Sequence, residues 1–179
     1  MKPLIGTDLK RFLRHYRRRN PPQHTIAALL QSVEYPANVG SIFRLADGAG
    51  LAELVLSGIT PTPPNPTLEK VARYKTDRVP WRYVEDPVDA VNQMKEQDYK
   101  VIAVELAEGA TPYHRFDYGP RVCLVVGHED HGVTRATLAV CDGAVFLPMY
   151  GKGRSLNVHV ALSIVVYHVL HTAGDPDGS

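Results

Sequence analysis

Residues 122–134 read Val-Cys-Leu-Val-Val-Gly-His-Glu-Asp-His-Gly-Val-Thr. Five apolar residues in succession leave no polar face, so 122–126 reads as a strand covered on both sides. Gly127 and Gly132 bracket a short polar loop, and a helical stretch follows at 134–140. A buried strand running through a loop into a helix is the building unit of a parallel sheet. The unit recurs outward in both directions. Further apolar runs lie at 25–33, 52–56, 100–104 and 144–147, and helical stretches at 38–49, 67–74, 87–97 and 156–170. The expected fold is therefore α/β, a mostly parallel sheet flanked by helices. Pro61, Pro63, Pro64 and Pro66 make a stiff non-helical loop.

The chain has 179 residues, 44% hydrophobic and 22% charged, the size and composition of one globular domain. Two cysteines, Cys123 and Cys141, are too few for a secreted disulfide scaffold and suggest a reducing compartment, with the cytoplasm as the default. No apolar run approaches the roughly 18 residues of a membrane span. The basic N-terminus lacks the apolar core and cleavage site of a secretory signal.

A net charge of +1 conceals a sorted distribution. Residues 1–19 hold seven of the twenty Lys and Arg residues and one acid, Asp8, for +6, whereas the rest of the chain carries −5. In that leader Leu9, Phe12, Leu13 and Tyr16 fall on one helical stripe, while Lys10, Arg11, Arg14, Arg17 and Arg18 occupy the remainder. Asn20-Pro21-Pro22 ends the helix. It reads as a solvated surface helix or a phosphate-binding one, with a membrane surface as a third option. The last helix differs, because Val158, Val160, Leu162, Ile164, Val165, Val166, Val169 and Leu170 surround its axis and call for burial on most sides, in a core and at a subunit interface. The chain divides into a basic helical extension (1–20), one domain (21–172) and a flexible acidic tail (173–179).

Three constellations lie where strands run into loops and helices, the place where open α/β sheets collect ligands. In Asn38-Val-Gly-Ser-Ile-Phe-Arg44, Asn38 suits a helix N-cap. Val39, Ile42, Phe43 and Ala46 form the buried stripe, and Arg44 lies off it, its planar fork available for a phosphate. The second, 127–133, lacks the lysine of a phosphate-binding P-loop. His128 and His131 with Cys123 and Cys141 match no zinc spacing, so no metal is expected. The third is Leu147-Pro-Met-Tyr-Gly-Lys-Gly-Arg-Ser-Leu-Asn157. Here Ser155 suits an N-cap, which leaves Asn157 unexplained inside an apolar helix.

Taken in order, Asn-x-Gly-x-x-x-Arg at 38–44, Gly-x-Glu-x-x-Gly-Val at 127–133 and Pro-Met-x-Gly-x-x-x-Ser-Leu-Asn-Val at 148–158 resemble the three motifs of the SpoU/TrmH family of SPOUT methyltransferases. The resemblance spans about residues 25–170. It implies S-adenosyl-L-methionine as methyl donor, an RNA ribose 2′-hydroxyl as acceptor, an obligate homodimer, and a deep trefoil knot in the C-terminal half, an exception to the rule that chains do not thread loops. The RNA implied first is tRNA, with ribosomal RNA next. The family's donor pocket maps onto Gly127, Leu147, Met149, Gly151, Ser155 and Leu156, closed by the strand end at Glu105. The catalytic group maps onto Arg44, Asn38, Glu129, Ser155 and Asn157. Arg44 positions rather than deprotonates, since a guanidinium keeps its proton. Lys10, Arg11, Arg14, Arg17, Arg18 and Arg19, with Lys152 and Arg154, would meet RNA phosphates. His159 stands where the family often has a small polar residue, His128 and His131 replace commoner choices, and an acidic tail replaces a basic C-terminal helix. A catalytically idle RNA binder of the same fold and a small-molecule-binding α/β protein are the competing readings.

Overall fold

A computed structural model describes residues 2–172. Among these, seven strands form a single sheet. They are β1 (Thr25–Gln31), β2 (Leu54–Ser57), β3 (Trp81–Val84), β4 (Lys100–Val104), β5 (Thr111–Pro112), β6 (Arg121–Val126) and β7 (Gly143–Phe146). Their spatial order is β3-β2-β1-β6-β4-β7-β5, and every neighbouring pair is parallel. The helices are α1 (Gly6–Arg19), α2 (Pro36–Ala49), α3 (Pro66–Ala72), α4 (Pro87–Glu96), α5 (Arg135–Val140) and α6 (Val158–His171).

The two central strands bury both faces, as their continuous apolar runs require. Ile26, Ala28 and Leu30 of β1 join Leu124, Phe43, Leu162 and Val165 in one core beneath α2 and α6. Ala27 and Leu29 join Val125, Val101, Ala90 and Met94 in a second core on the opposite face, under α4, with Leu138 of α5 packed at its margin. Each fully buried leucine contributes about 2–3 kcal/mol of transfer free energy. β3 and β5 are short strands that the apolar runs did not reveal, and neither contains a buried residue.

Helix boundaries depart from expectation at two informative places. α2 begins at Pro36, with Pro in the first turn and Tyr35 as an N-cap that makes no side-chain hydrogen bond. Asn38 is therefore not a cap, and its side chain is available for other contacts. α6 begins at Val158, and its cap is Asn157, whose Oδ1 accepts a bond from the His159 amide at 3.0 Å. That removes the cap assigned to Ser155 and explains Asn157 at the same time.

Two helices are less buried than their composition suggests. In α6 only Leu162, Val165, Val166 and Val169 are buried, while Val160 and Tyr167 are 38% and 47% exposed. Its second apolar face is thus outward in the single chain. α1 buries no residue at all, and Phe12 is 53% exposed. No helix among the described residues is long and apolar enough to cross a membrane. The expected tail at 173–179 lies outside the described residues.

α2 and α3 cross closely at Gly40. A Cβ there would stand 2.6 Å from the Leu68 carbonyl oxygen and 2.9 Å from Val71 Cβ, so only glycine permits this approach. Asn65 caps α3, its Oδ1 accepting from the amides of Thr67 and Leu68, each at 3.1 Å. The helix ends on two successive left-handed residues, Arg73 (φ 52) and Tyr74 (φ 59). That conformation costs about 1–2 kcal/mol per non-glycine residue.

Candidate active site

The carboxyl ends of β4, β6 and β7, with the start of α2 at Tyr35 and Asn38, open into a cavity of about 890 Å³. It lies where parallel sheets place ligands and falls within the size range of small-molecule sites. Leu106, Leu147, Met149 and Leu156 supply apolar wall, while Asn38, Glu105, Glu129, Ser155 and Asn157 supply polar groups.

The loop after β6 is built without side chains at its two ends. A Cβ at Gly127 would collide with the backbone of Gly132 and Val133, and one at Gly132 (φ 65) would strike the Glu105 carboxylate. The loop closes on itself through the His128 amide donating to the Gly132 carbonyl at 3.1 Å and the Gly132 amide returning to His128 at 2.8 Å. Glu105, just past the end of β4, clamps it, its Oε2 accepting from the Val133 amide at 2.9 Å and its Oε1 from the Leu106 amide at 3.0 Å. The Asp130 amide donates to His128 Nδ1 at 3.0 Å, which leaves the ring proton on Nε2, 3.2 Å from Glu34 Oε2.

Glu129, at the tip of this loop, reaches across to the start of α2. Its Oε1 accepts from Asn38 Nδ2 at 2.7 Å and from the Tyr35 amide at 3.2 Å, and its Oε2 accepts from the Glu34 amide at 2.9 Å. Burial pushes the Glu129 carboxyl up, but the hydrogen bonds from Asn38 and the backbone amides outweigh it and hold the group below its ordinary value. Asn38 Oδ1 in turn accepts from Asn157 Nδ2 at 3.1 Å and faces His159 Nδ1 at 3.3 Å. Burial keeps His159 below its ordinary value, favouring the neutral ring.

The structure thus unites Asn38, Glu129, Ser155 and Asn157 around one cavity, with Glu105, Gly127, Leu147, Met149, Leu156 and Arg154 in its walls. Gly151 and Lys152 lie on the same 147–157 segment outside that lining, and a Cβ at Gly151 would meet nothing within 4 Å. Arg44 is apart: it is exposed, six residues beyond Asn38, beside a second depression with Lys70 and Arg73. Lys10, Arg11, Arg14, Arg17, Arg18 and Arg19 are exposed on α1, where Arg11 pairs with Asp8 at 3.1 Å. The amides of Glu34 and Tyr35 were invisible to motif analysis because backbone donors carry no residue signature; Tyr35 also lines the cavity.

Residues 25–167 match the SpoU rRNA Methylase family profile. The chain belongs to the SpoU methylase family. A tRNA (guanosine(18)-2′-O)-methyltransferase of Thermus thermophilus is 33% identical over 150 residues, covering 84% of this chain and 75% of that protein. A 23S rRNA (guanosine(2553)-2′-O)-methyltransferase of Bacillus subtilis is 35% identical over 141 residues, covering 79% of this chain and 56% of that one. A crystal structure of an AdoMet-bound rRNA methyltransferase from Sinorhizobium meliloti superposes with a TM-score of 0.74 at 25% identity, over 84% of this chain and 57% of that one. The chain therefore spans three quarters of the Thermus protein but little more than half of the other two. Its parallel α/β fold is that of the SpoU methyltransferases within the SPOUT class.

This SpoU cavity suits S-adenosylmethionine on its own features. Apolar walls from Leu106, Leu147, Met149 and Leu156 can cover an adenine, the glycine-bounded loop offers backbone groups at close range, and the carboxylates of Glu105 and Glu129 favour a cationic donor.

Proposed function

We propose that this chain methylates the ribose 2′-hydroxyl of tRNA, using S-adenosylmethionine, as a homodimer in the cytoplasm. The observation that carries this reading is the convergence of three separate strand-to-helix junctions on one cavity, joined by the chain Glu129–Asn38–Asn157.

When bound, S-adenosylmethionine supplies an electrophilic methyl group. The side chains supply position and a water-poor setting. Glu129 has both oxygens engaged by donors, so it acts as a clamp on Asn38 rather than as a base. Asn157 spends one Nδ2 proton on Asn38 and its Oδ1 on the His159 amide, which leaves its other Nδ2 proton, with the Ser155 hydroxyl lining the same cavity, for ligand or ribose. Arg44 would hold the phosphate next to the target ribose, and that phosphate would take the hydroxyl proton as the ribose oxygen takes the methyl group from the sulfonium, which leaves as the neutral thioether.

Because Arg44 stands outside the cavity of its own chain, it serves the cavity of a second copy. The outward stripe Val160–Ile164–Tyr167 of α6 is the apolar face on which two copies meet. The trefoil knot belongs to the same reading: after β7 the chain returns to lay α6 against α2, β4 and β6, the course that threading would take. Residues 1–20 act as an appended RNA-capture helix on the domain 21–172. Two copies would present about +12 near the sites, with Lys152 and Arg154 adding charge on the loop before α6.

Ribosomal RNA is the second reading, favoured by the 35% identical Bacillus relative. Labelled donor incubated with the protein and unmodified total RNA, followed by mass-spectrometric mapping, tests both. A 2′-O-methylated ribose in tRNA is the expected product, and one in ribosomal RNA alone selects the second reading. Failure on every RNA despite tight donor binding overturns the enzymatic reading and leaves an idle binder.

A further inference from the structure

We propose that Lys70, Arg73 and Tyr74 form a docking site for the RNA strand that continues from Arg44: cations for a phosphodiester and an aromatic ring for an unpaired base. This rests on the RNA-methylating reading and deepens it by placing the nucleotide that flanks the target.

Arg44, Lys70 and Arg73 border one depression, together with Pro66, Thr67 and Val71. None of the three cations makes an ion pair among the described residues. The carboxylates on the same two helices are turned to other partners. Asp47 pairs with Lys75 at 3.0 Å, and both oxygens of Glu69 accept from the Thr76 hydroxyl, at 3.0 and 2.8 Å. Three unneutralised cations around a shallow, partly apolar floor suit a phosphodiester better than a compact anion, because the backbone can run along the row.

Tyr74 completes the site. It is 76% exposed, yet it sits on a turn fixed from several sides. The Arg73 amide donates to the Glu69 carbonyl at 2.9 Å and the Lys75 amide to Ala72 at 3.2 Å, while the Lys75–Asp47 pair ties the turn to α2. Arg73 and Tyr74 both hold positive φ without being glycine. A solvated turn would settle more easily on glycine or asparagine there, so the sequence retains an aromatic ring against local preference. An exposed ring on a hydrogen-bonded turn, next in sequence to an unpaired arginine, is the combination by which single-stranded RNA is stacked and held. Gly40 permits the tight α2–α3 crossing, and Arg44 of α2 shares one depression with Lys70 and Arg73 at the end of α3.

The full-length protein is compared with Lys70→Gln/Arg73→Gln, Lys70→Arg/Arg73→Lys, Tyr74→Leu and Tyr74→Phe. Affinity for unmodified tRNA is measured across salt, alongside donor affinity, melting temperature and RNA KM and kcat. The double Gln variant should bind RNA about tenfold or more weakly and lose on the order of 1.4 from the log–log salt slope, two single-strand phosphate contacts. Tyr74→Leu should weaken RNA binding by about tenfold. The charge-retaining and Phe variants should bind as wild type does, and donor affinity and melting should not move. RNA affinity and salt slope unchanged in both the Gln and Leu variants, with a wild type that methylates RNA, would overturn the docking site alone. A wild type that neither binds nor methylates RNA overturns the functional reading, and the docking site with it.

Discussion

Glu129 and Asn38, 91 residues apart in the chain, meet at 2.7 Å and lock the loop after β6 to the first turn of α2. The bond explains both residues without assigning either to proton transfer. Asn38 uses its amide as a relay, donating to Glu129 and accepting from Asn157, so the three motifs are held as one hydrogen-bonded unit.

The clamp makes acid stability a direct readout. The Glu129 carboxyl is held below its ordinary value of 4.5, so its stabilising effect is complete above that value and is lost as pH falls through the lowered folded one. Glu129→Gln should lower unfolding free energy by about 1–3 kcal/mol at pH 7, measured in urea. The gap from wild type should close below pH 4.5; a gap of constant size down to pH 3 would contradict the clamp.

Two glycines of α2 should respond in opposite directions. Gly40→Ala forces a Cβ into the α3 backbone and should destabilise by about 1–3 kcal/mol. Gly48→Ala meets only the Tyr167 hydroxyl, at 3.9 Å, and should stabilise by roughly 0.5–1 kcal/mol through helix propensity. Chemical denaturation of both variants reads the sign directly.

Deleting residues 1–19 separates RNA capture from folding. Since α1 buries nothing, melting temperature and donor affinity should stay within error of wild type. RNA affinity should fall by at least about tenfold, with a shallower salt dependence. Equal losses of donor and RNA affinity would make the helix a structural element instead.

His168 offers a stabilising substitution. It lies between the rings of Tyr113 and Tyr118, with centroids 5.1 and 6.1 Å away, and its Nε2 is buried without a hydrogen-bond partner among the described residues. Burial, then the nearby His114, pushes its pKa below 6.5, so the folded state prefers the neutral ring and stability drops as pH falls below that value. His168→Phe should gain roughly 1 kcal/mol at pH 7.5 and more at pH 5.5, in thermal melts. A loss at both pH values would show that the ring nitrogen is satisfied.

Arg44→Lys tests the planar fork. Methyl transfer should fall on the order of 10–100-fold with donor affinity intact, because the ammonium cannot hold a phosphate in the same register. Near-full methylation with normal RNA affinity would remove the fork's importance.

The sheet was legible because continuous apolar runs have one low-energy home, between two layers of helix. β3 and β5 escaped because Trp81–Val84 and Thr111–Pro112 lie at the sheet's edges, where half-burial relaxes the pattern. The site was legible through residue types at fixed spacing, so Asn38, Glu129, Ser155 and Asn157 were found together. Their partners were less legible. Asn38 looked like a cap because capping and long-range bonding within the chain ask for the same amide, and only Pro36 at the start of the same turn decides between them. The outward face of α6 could not be told from a buried one by composition, since Val160 and Tyr167 on the exposed side are as apolar as the residues in the core.

Strand order has a bearing on how the chain is made. β6 is inserted between β1 and β4, so Thr25 pairs with Arg121, and Leu30 with Val126. During synthesis β1 emerges early, yet one edge of its Ala-Ala-Leu-Leu run has no neighbour until residues 121–126 leave the ribosome. Such long-range parallel pairing folds slowly and leaves an apolar edge open to wrong partners. The nascent protein is therefore most prone to aggregate in the interval between these two strands, and chaperone dependence should track the length of that interval.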